Sequence, residues 1–178
     1  VAVGTGQAIK NAKNCDGDML LVHSYEAEKK FVKSGFGIQR FDLMYNDFVL
    51  LGPASDPARV SSVKTIEKAL KKIALMESFF ASRGDDSGTH RAELKLWRLA
   101  GINPVLNSGK WYLETGSGMG ATLNFAGERE AYVLADRATW LSFRSKRHLK
   151  ILFEGDKKLF NQYGLIGINK LRCPHVDS

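Results

Sequence analysis

Short apolar runs alternate with segments of helical period along the chain. Residues 62–74, for example, place apolar side chains on one helical face and lysines on the other. The same reasoning predicts strands at 1–3, 19–23, 79–82, 131–134, 149–153 and 165–168, and helices at 6–13, 25–33, 62–74, 90–100, 116–126 and 139–143. A long extended stretch at 38–51 is interrupted by Asn46-Asp47. This alternation predicts an α/β fold with a largely parallel sheet covered on both faces.

The segment 79–90 is the strongest candidate for a binding site, because an apolar strand leads into donor-rich residues where a helix begins. Ser87, Gly88 and Thr89 are expected on the first helical turn. Backbone N–H groups there lack intrahelical partners, and the helix dipole is positive. Arg83 adds a permanent charge and a planar fork of N–H donors. The pattern predicts an oxyanion site.

Two other readings of this segment stay open. Asp85, Asp86 and Ser87 are ordinary N-cap residues, and a capped helix needs no ligand. An enzyme acting on a phosphorylated or sulfated substrate could use the same helix start as an anion hole. It would need a base or a metal near Ser87, and only His90 is available as an unplaced candidate. The Gly-x-Ser-x-Gly elbow of hydrolases is absent here.

Composition narrows the class of partner. The chain has 178 residues, 44% of them apolar, and a net charge of +7, which suits an anionic ligand. No apolar run reaches the length of about 18 residues that suggests a membrane span. Basic residues are not interleaved with exposed aromatics in a recognition motif, so no nucleic-acid partner is expected. With no CxxC and no helical histidine spacing, neither a metal site nor a cofactor is expected.

Glycine-rich turns at 4–7 and 116–120 also follow strand-like segments and open helices. Neither has the Gly-x-Gly-x-x-Gly spacing of a dinucleotide site. Close helix packing explains them, with close backbone approach to a small ligand as the alternative.

Six strings spread over nearly the whole chain resemble the substrate-binding proteins of tungstate ABC transporters. They lie at 3–8, 18–23, 44–49, 82–90, 111–116 and 136–140. The family is similar to two-lobed periplasmic binding proteins, in which a tetrahedral oxyanion sits between lobes joined by two crossing strands. The resemblance implies mostly parallel sheets, with crossovers at Asn46-Asp47 and at 135–137.

The resemblance implies a first lobe of residues 1–48 and 136–178 and a second lobe of residues 49–135. Cys15 and Cys173 then fall in the same lobe, so that a bridge is possible and its existence stays open. Hydroxyls, open N–H groups and two arginine charges would bind the anion. The expected ligand-binding residues are Thr5, Gly6, Ser82, Arg83, Ser87, Gly88, Thr89 and Arg137. Asp85 and Asp86 would cap the helix or orient an arginine, and Arg137 has a surface salt bridge beside Asp136 as its alternative role.

The function expected from the resemblance is binding of tungstate, with molybdate next, for delivery to an ABC transporter permease. Such a protein is exported to the periplasm or cell exterior, is not an enzyme, and is a monomer when complete. A ligand-sensing module of a regulator is a further alternative. Family members begin with another strand and helix, so the first lobe is expected to be incomplete at its N-terminus. We expect a version extended by about 35 residues to be more soluble and to bind the oxyanion more tightly.

Overall fold

The computed structural model describes residues 3–177. The elements follow one another as α1 (Thr5–Lys13), β1 (Met19–Val22), α2 (Tyr25–Lys33), β2 (Gly37–Pro53), α3 (Ile66–Leu75), β3 (Phe80–Ser82), α4 (Gly88–Leu99), β4 (Tyr112–Glu114), α5 (Met119–Arg129), β5 (Tyr132–Asp136), α6 (Arg137–Ser142), β6 (Leu149–Phe153) and β7 (Phe160–Ile168). Short 3-10 helices lie at Val60–Ser62, Pro104–Asn107 and Lys157–Leu159. The α/β class expected from the sequence is confirmed. The strand expected at residues 1–3 falls largely outside the described residues.

The chain forms two compact units. Unit 1 comprises Val1–Asn46, Asp86–Gly88 and Asn161–Ser178, and unit 2 comprises Asp47–Asp85 and Thr89–Phe160. The sequence-based division placed residues 136–160 with the first lobe. In the structure these residues belong to unit 2, because β6 pairs with the second half of β2, from Leu50 to Pro53.

Unit 1 is built around an antiparallel pair of strands. β1 pairs with β7, with Leu20 opposite Ile166. Helices α1 and α2 contribute Ala12 and Phe31 to the same buried cluster. A disulfide joins Cys15, just after α1, to Cys173 near the end of the described chain. The bridge that the sequence left open is therefore present, and it closes this small core covalently.

Unit 2 contains a parallel three-stranded arrangement in the order β5-β3-β4. The connections β3-α4-β4 and β4-α5-β5 are strand-helix-strand crossovers, which parallel strands require. β5 also pairs antiparallel with the second half of β2, where Phe48 lies opposite Asp136. This arrangement places the end of β3 and the start of α4 at the carboxyl edge of the parallel strands.

Alternate residues of the unit 2 strands enter two separate cores. On β2, Leu50 lies in one buried cluster and Leu51 in the other. The first cluster also takes residues of α3 and α4, and the second takes residues of α5 and α6. A strand presents successive side chains to opposite faces, so each face of this sheet is covered by its own helices.

Two features of the fold differ from the sequence-based expectation. The expectation of a mostly parallel sheet is wrong for the pairs β1–β7, β2–β5 and β2–β6, which are antiparallel, whereas β3 pairs in parallel with β4 and β5. The strand itself is not interrupted at Asn46-Asp47, because β2 runs without a break from Gly37 to Pro53, although the division between the two units falls between these two residues. Strand pairing overrides the weak strand propensity of these two residues.

Candidate functional site

The turn after β3 is held rigidly at its first residue. Ser82 is fully buried, and its carbonyl accepts hydrogen bonds from the backbone N–H (2.9 Å) and the hydroxyl (3.2 Å) of Thr115. Its hydroxyl accepts the N–H of Gly84 at 3.3 Å. Gly84 has φ +60°, and a Cβ there would lie 2.9 Å from the Cβ of Glu114. Only glycine fits this turn without strain, and the turn fixes the backbone on both sides of Arg83.

The Ser82 hydroxyl donates its hydrogen to a buried carboxyl group. It lies 2.8 Å from Glu93 Oε2, while Glu93 Oε1 accepts from Tyr112 OH at 2.7 Å and Trp97 Nε1 at 3.2 Å. Burial raises the pKa of Glu93 to about 8, against the opposing effect of these three hydrogen bonds. The Ser82 side chain is therefore engaged in the interior of unit 2. Its predicted role as an anion donor stays a prediction.

Arg83 combines one satisfied and one unsatisfied donor. Its Nη2 donates to Asp85 Oδ2 at 2.5 Å, so Asp85 orients this arginine, one of the two roles expected for it. Its Nε is buried and has no hydrogen-bond partner among residues 3–177. A buried N–H without an acceptor costs free energy, and Arg83 is well placed to donate to an oxygen supplied from outside the chain.

The start of α4 lies against the start of α1 within unit 1. A Cβ on Gly88 would come within 2.4 Å of His23 Cε1 and 2.9 Å of Thr5 Oγ1, and a Cβ on Gly4 would lie 3.9 Å from Ser87 Cβ. Thr5 is buried and opens α1, whose glycine N-cap makes no side-chain cap hydrogen bond. The first residues of α1 therefore lie close to Ser87 and Gly88 in this unit.

The remaining predicted residues of this segment follow the same geometry. α4 begins at Gly88, two residues before the helix start expected from the sequence. Gly88 and Thr89 are thus the first residues of the helix, as an N-terminal anion site requires. Ser87 and Thr89 are both buried, with 4% and 5% of their surfaces exposed, and Gly6 on α1 is half-buried.

Arg137 opens α6 and is already paired with two carboxylates. Its Nε and Nη2 donate to the two oxygens of Asp47 at 2.7 and 2.6 Å, and its Nη1 lies 2.6 Å from Glu154 Oε2. The hydrogen bonds to Asp47 raise the pKa of Arg137, so the charge persists at any physiological pH. The Asp136 side chain caps α6 by accepting the N–H of Thr139 at 2.8 Å. The Arg137 ligand role stays a prediction.

Two residues of this neighbourhood were missed by sequence reasoning. Glu93 lies within the predicted helix, where a charged residue is expected to face solvent. His23 ends the string at 18–23, stacks on Tyr163 with ring centroids 4.8 Å apart, and places Nδ1 2.9 Å from Asn161 Oδ1. Apart from Trp97, which is four residues from Glu93, their hydrogen-bond partners lie 11 to 138 residues away. The only available signal was an acid at a position that the helical pattern assigns near the apolar face.

The described part of the chain has neither a cluster of metal-binding side chains nor a helix suited to crossing a membrane. Residues 3–177 contain no group of three or more histidine, cysteine or carboxylate side chains that could hold a metal ion. Within the same range, no helix has the length and apolar character needed to cross a membrane.

The known proteins that this chain resembles include tungstate-binding proteins and a tungstate ABC transporter protein. A tungstate-binding protein, TupA, of Peptoclostridium acidaminophilum is 50% identical over 180 residues. The match covers 100% of this chain and 62% of the relative, so the chain spans less than two thirds of that protein's length. The crystal structure of the tungstate ABC transporter from Geobacter sulfurreducens superimposes with a TM-score of 0.88 at 49% identity, covering 99% of this chain and 74% of that one.

A second solved structure agrees with the first. The tungstate-binding protein TupA from Desulfovibrio alaskensis G20 gives a TM-score of 0.84 at 49% identity, covering 99% of this chain and 72% of that chain. The family model described as PBP superfamily domain matches residues 1–176. The chain therefore belongs to the PBP superfamily domain family.

Proposed function

We propose that this chain binds a tetrahedral oxyanion, tungstate first and molybdate next, for delivery to an ABC transporter. The observation that carries the proposal is the buried Nε of Arg83, which has no acceptor among the described residues. An oxyanion supplies the missing acceptor and a charge of opposite sign. Relatives that share about half of the sequence are named for binding tungstate.

The donor set suits a small dianion. Burying an unpaired dianion costs many kcal/mol, so its oxygens need hydrogen bonds and its charge needs a cation. Arg83 supplies the cation and a planar fork of N–H groups. The uncharged donors are hydroxyl groups and the backbone N–H groups of helix starts, from Thr5, Gly6, Ser87, Gly88 and Thr89. They add no positive charge that would attract competing carboxylates. Ser82 and Arg137 contribute less, because both already have internal partners.

A binding function fits better than catalysis. Relatives over nearly the whole chain are named as binding proteins or as parts of a transporter. Binding of this kind requires no metal and no cofactor. The anion is held by hydrogen bonds and is not chemically converted. The expected partners are the oxyanion and a transporter permease, with the protein acting as a monomer.

The disulfide supports a location outside the cytosol. Cys15 and Cys173 are bridged, and structural disulfides persist in oxidising compartments such as the periplasm. We place the protein in the periplasm or at the cell exterior, as its proposed work with an ABC transporter requires.

A calorimetric titration of the protein with tungstate, molybdate, sulfate and phosphate tests the proposal. We expect heat of binding and a raised melting temperature with tungstate and molybdate, and much smaller effects with sulfate and phosphate at equal concentration. A protein whose melting temperature responds to none of the four ions does not bind oxyanions, and equal responses to all four would contradict selectivity for tungstate.

A further inference from the structure

Glu93 is a buried carboxyl group that the proposed binding chemistry does not use. It lies on the second turn of α4 with 3% of its surface exposed. Its three donors come from three elements: Ser82 on β3, Tyr112 on β4, and Trp97 one turn further along α4. A carboxyl group in such a place costs desolvation free energy, while an apolar residue of similar size would pack there without that cost.

The hydrogen bonds of Glu93 continue directly to the backbone next to Arg83. Glu93 Oε2 accepts from the Ser82 hydroxyl, and the same hydroxyl oxygen accepts the N–H of Gly84. Arg83 is the single residue between them. The orientation of its side chain depends on a backbone whose two flanking residues are tied, through one oxygen atom, to Glu93.

We propose that Glu93 is a positioning residue of the oxyanion site, which holds the Arg83 turn through the Ser82 hydroxyl and passes its own protonation state to that turn. The inference rests on the proposed function for the identity of its ligand. The hydrogen-bond connection from Glu93 to Gly84 does not depend on that ligand and can be tested in the protein alone. Glu93 does not touch the anion in this scheme.

The titration of Glu93 gives this link a measurable signature. The groups that face it are Ser82 from β3, Tyr112 and Glu114 from β4, and Trp97 from its own helix. Burial raises the pKa of Tyr112, so its hydroxyl stays a neutral donor, and the nearby charge of Glu114 adds to the raised pKa of Glu93. Glu93 is therefore protonated below pH 8 and carries a negative charge above it.

The sign of the effect on binding follows from linkage. A bound dianion disfavours a second negative charge nearby, so that anion binding favours protonated Glu93. Equally, ionisation of Glu93 weakens anion binding. The Glu93 pKa of about 8 and a titration range of about one unit either side set a window of roughly pH 7 to 9, in which tungstate remains a dianion. We expect its affinity to fall by roughly tenfold as the pH rises through 8.

The experiment compares the protein with Glu93→Gln and with Glu128→Gln. Glutamine keeps the shape of Glu93 and mimics the protonated acid. Glu128 lies on α5, is exposed, and pairs with Arg147, so its substitution removes one surface carboxylate as a matched control. Two readouts are taken at several pH values: tungstate affinity at constant ionic strength, and hydrogen-exchange protection of the Gly84 amide without ligand. The Thr115 amide, which donates to the Ser82 carbonyl rather than to its hydroxyl, is the internal reference.

The proposal is supported if, in the wild-type protein, tungstate affinity and the Gly84 protection factor both change with a midpoint near pH 8. Both quantities should be independent of pH in Glu93→Gln. In Glu128→Gln both should follow the wild-type pH profile. The proposal is overturned if Glu93→Gln keeps the wild-type pH profiles, or if Gly84 and Thr115 respond equally. If tungstate does not bind at any pH while the Gly84 profile still depends on Glu93, the proposed function fails and the positioning role remains.

Discussion

Two arginines of unit 2 lie at similar positions between a strand and a helix but differ in their carboxylate partners. Arg83 follows β3 shortly before α4, and Arg137 follows β5 as the first residue of α6. Arg137 makes a two-pronged pair with Asp47 and a further contact with Glu154. Arg83 pairs with Asp85 and keeps a buried Nε without an acceptor among the described residues.

The difference contrasts an arginine whose charge is matched by two carboxylates with one that keeps an unsatisfied buried donor. Two carboxylates satisfy the charge and the fork of Arg137, so that it fastens α6 to β2 within unit 2. Arg83 is oriented by the Asp85 carboxylate, and its buried Nε has no acceptor among residues 3–177, so that an added acceptor would satisfy it. A strand-to-helix arginine thus indicates anion binding where one of its buried N–H donors is left without an acceptor.

The largest expected effect comes from removing Arg83. The variant Arg83→Ala should lose about 2 to 5 kcal/mol of tungstate binding, because the anion keeps its desolvation cost and loses its charged partner. The measurement is calorimetric titration beside Arg83→Lys, which keeps the charge but loses the fork and should recover only part of the affinity. Arg129→Ala, on the exposed end of α5, is the control for loss of one positive charge. Equal affinities for wild type and Arg83→Ala would place Arg83 outside the site.

A smaller effect on tungstate binding is expected from a substitution at Gly88, the first residue of α4. In Gly88→Ala the new methyl group meets His23 Cε1 at 2.4 Å and Nε2 at 2.6 Å. Such overpacking costs about 1 to 3 kcal/mol of folding free energy and displaces the N–H groups of the helix start. Denaturant unfolding and tungstate titration measure the two consequences.

Gly118→Ala is the matched control for Gly88→Ala, since Gly118 precedes α5 and an added Cβ meets nothing within 4 Å. Its stability should stay close to that of wild type. If Gly88→Ala and Gly118→Ala have the same stability and the same tungstate affinity, the close approach at Gly88 contributes to neither.

Much of the fold was readable from the sequence where the periodicity was local and long. Helix α2 and strand β6 have the bounds that the pattern predicted, Tyr25–Lys33 and Leu149–Phe153. Strand β4 was indicated only as a strand-like segment before the glycine-rich turn at 116–120, because three residues carry too little alternation to define its bounds. The start of α4 was placed late because Gly88 and Thr89 are weak helix formers that tertiary packing holds in place.

The candidate site was readable only in part. Arg83 and the donors of residues 87–89 stood out because a strand leading into a helix start is a local pattern. The partners that decide their roles are not local: Asp47 meets Arg137 across 90 residues, and Tyr112 reaches Glu93 across 19. A sequence without these contacts in view cannot distinguish an arginine that is already paired from one that is available.

The smallest expected effect, and the sharpest test of the comparison, concerns Arg137 and its two carboxylates. The Arg137 and Asp47 side chains are 31% and 30% exposed, and solvent weakens such pairs. Arg137→Ala should therefore cost no more than about 1 kcal/mol of stability and change tungstate affinity by well under the effect of Arg83→Ala. Asp47→Asn and Glu154→Gln should leave affinity unchanged or slightly raise it, because each leaves the Arg137 charge less neutralised. Unfolding and titration of all three variants at one pH provide the measurement. A loss of binding in Arg137→Ala as large as that in Arg83→Ala would show that Arg137 also holds the anion, and that a paired arginine can still be a ligand.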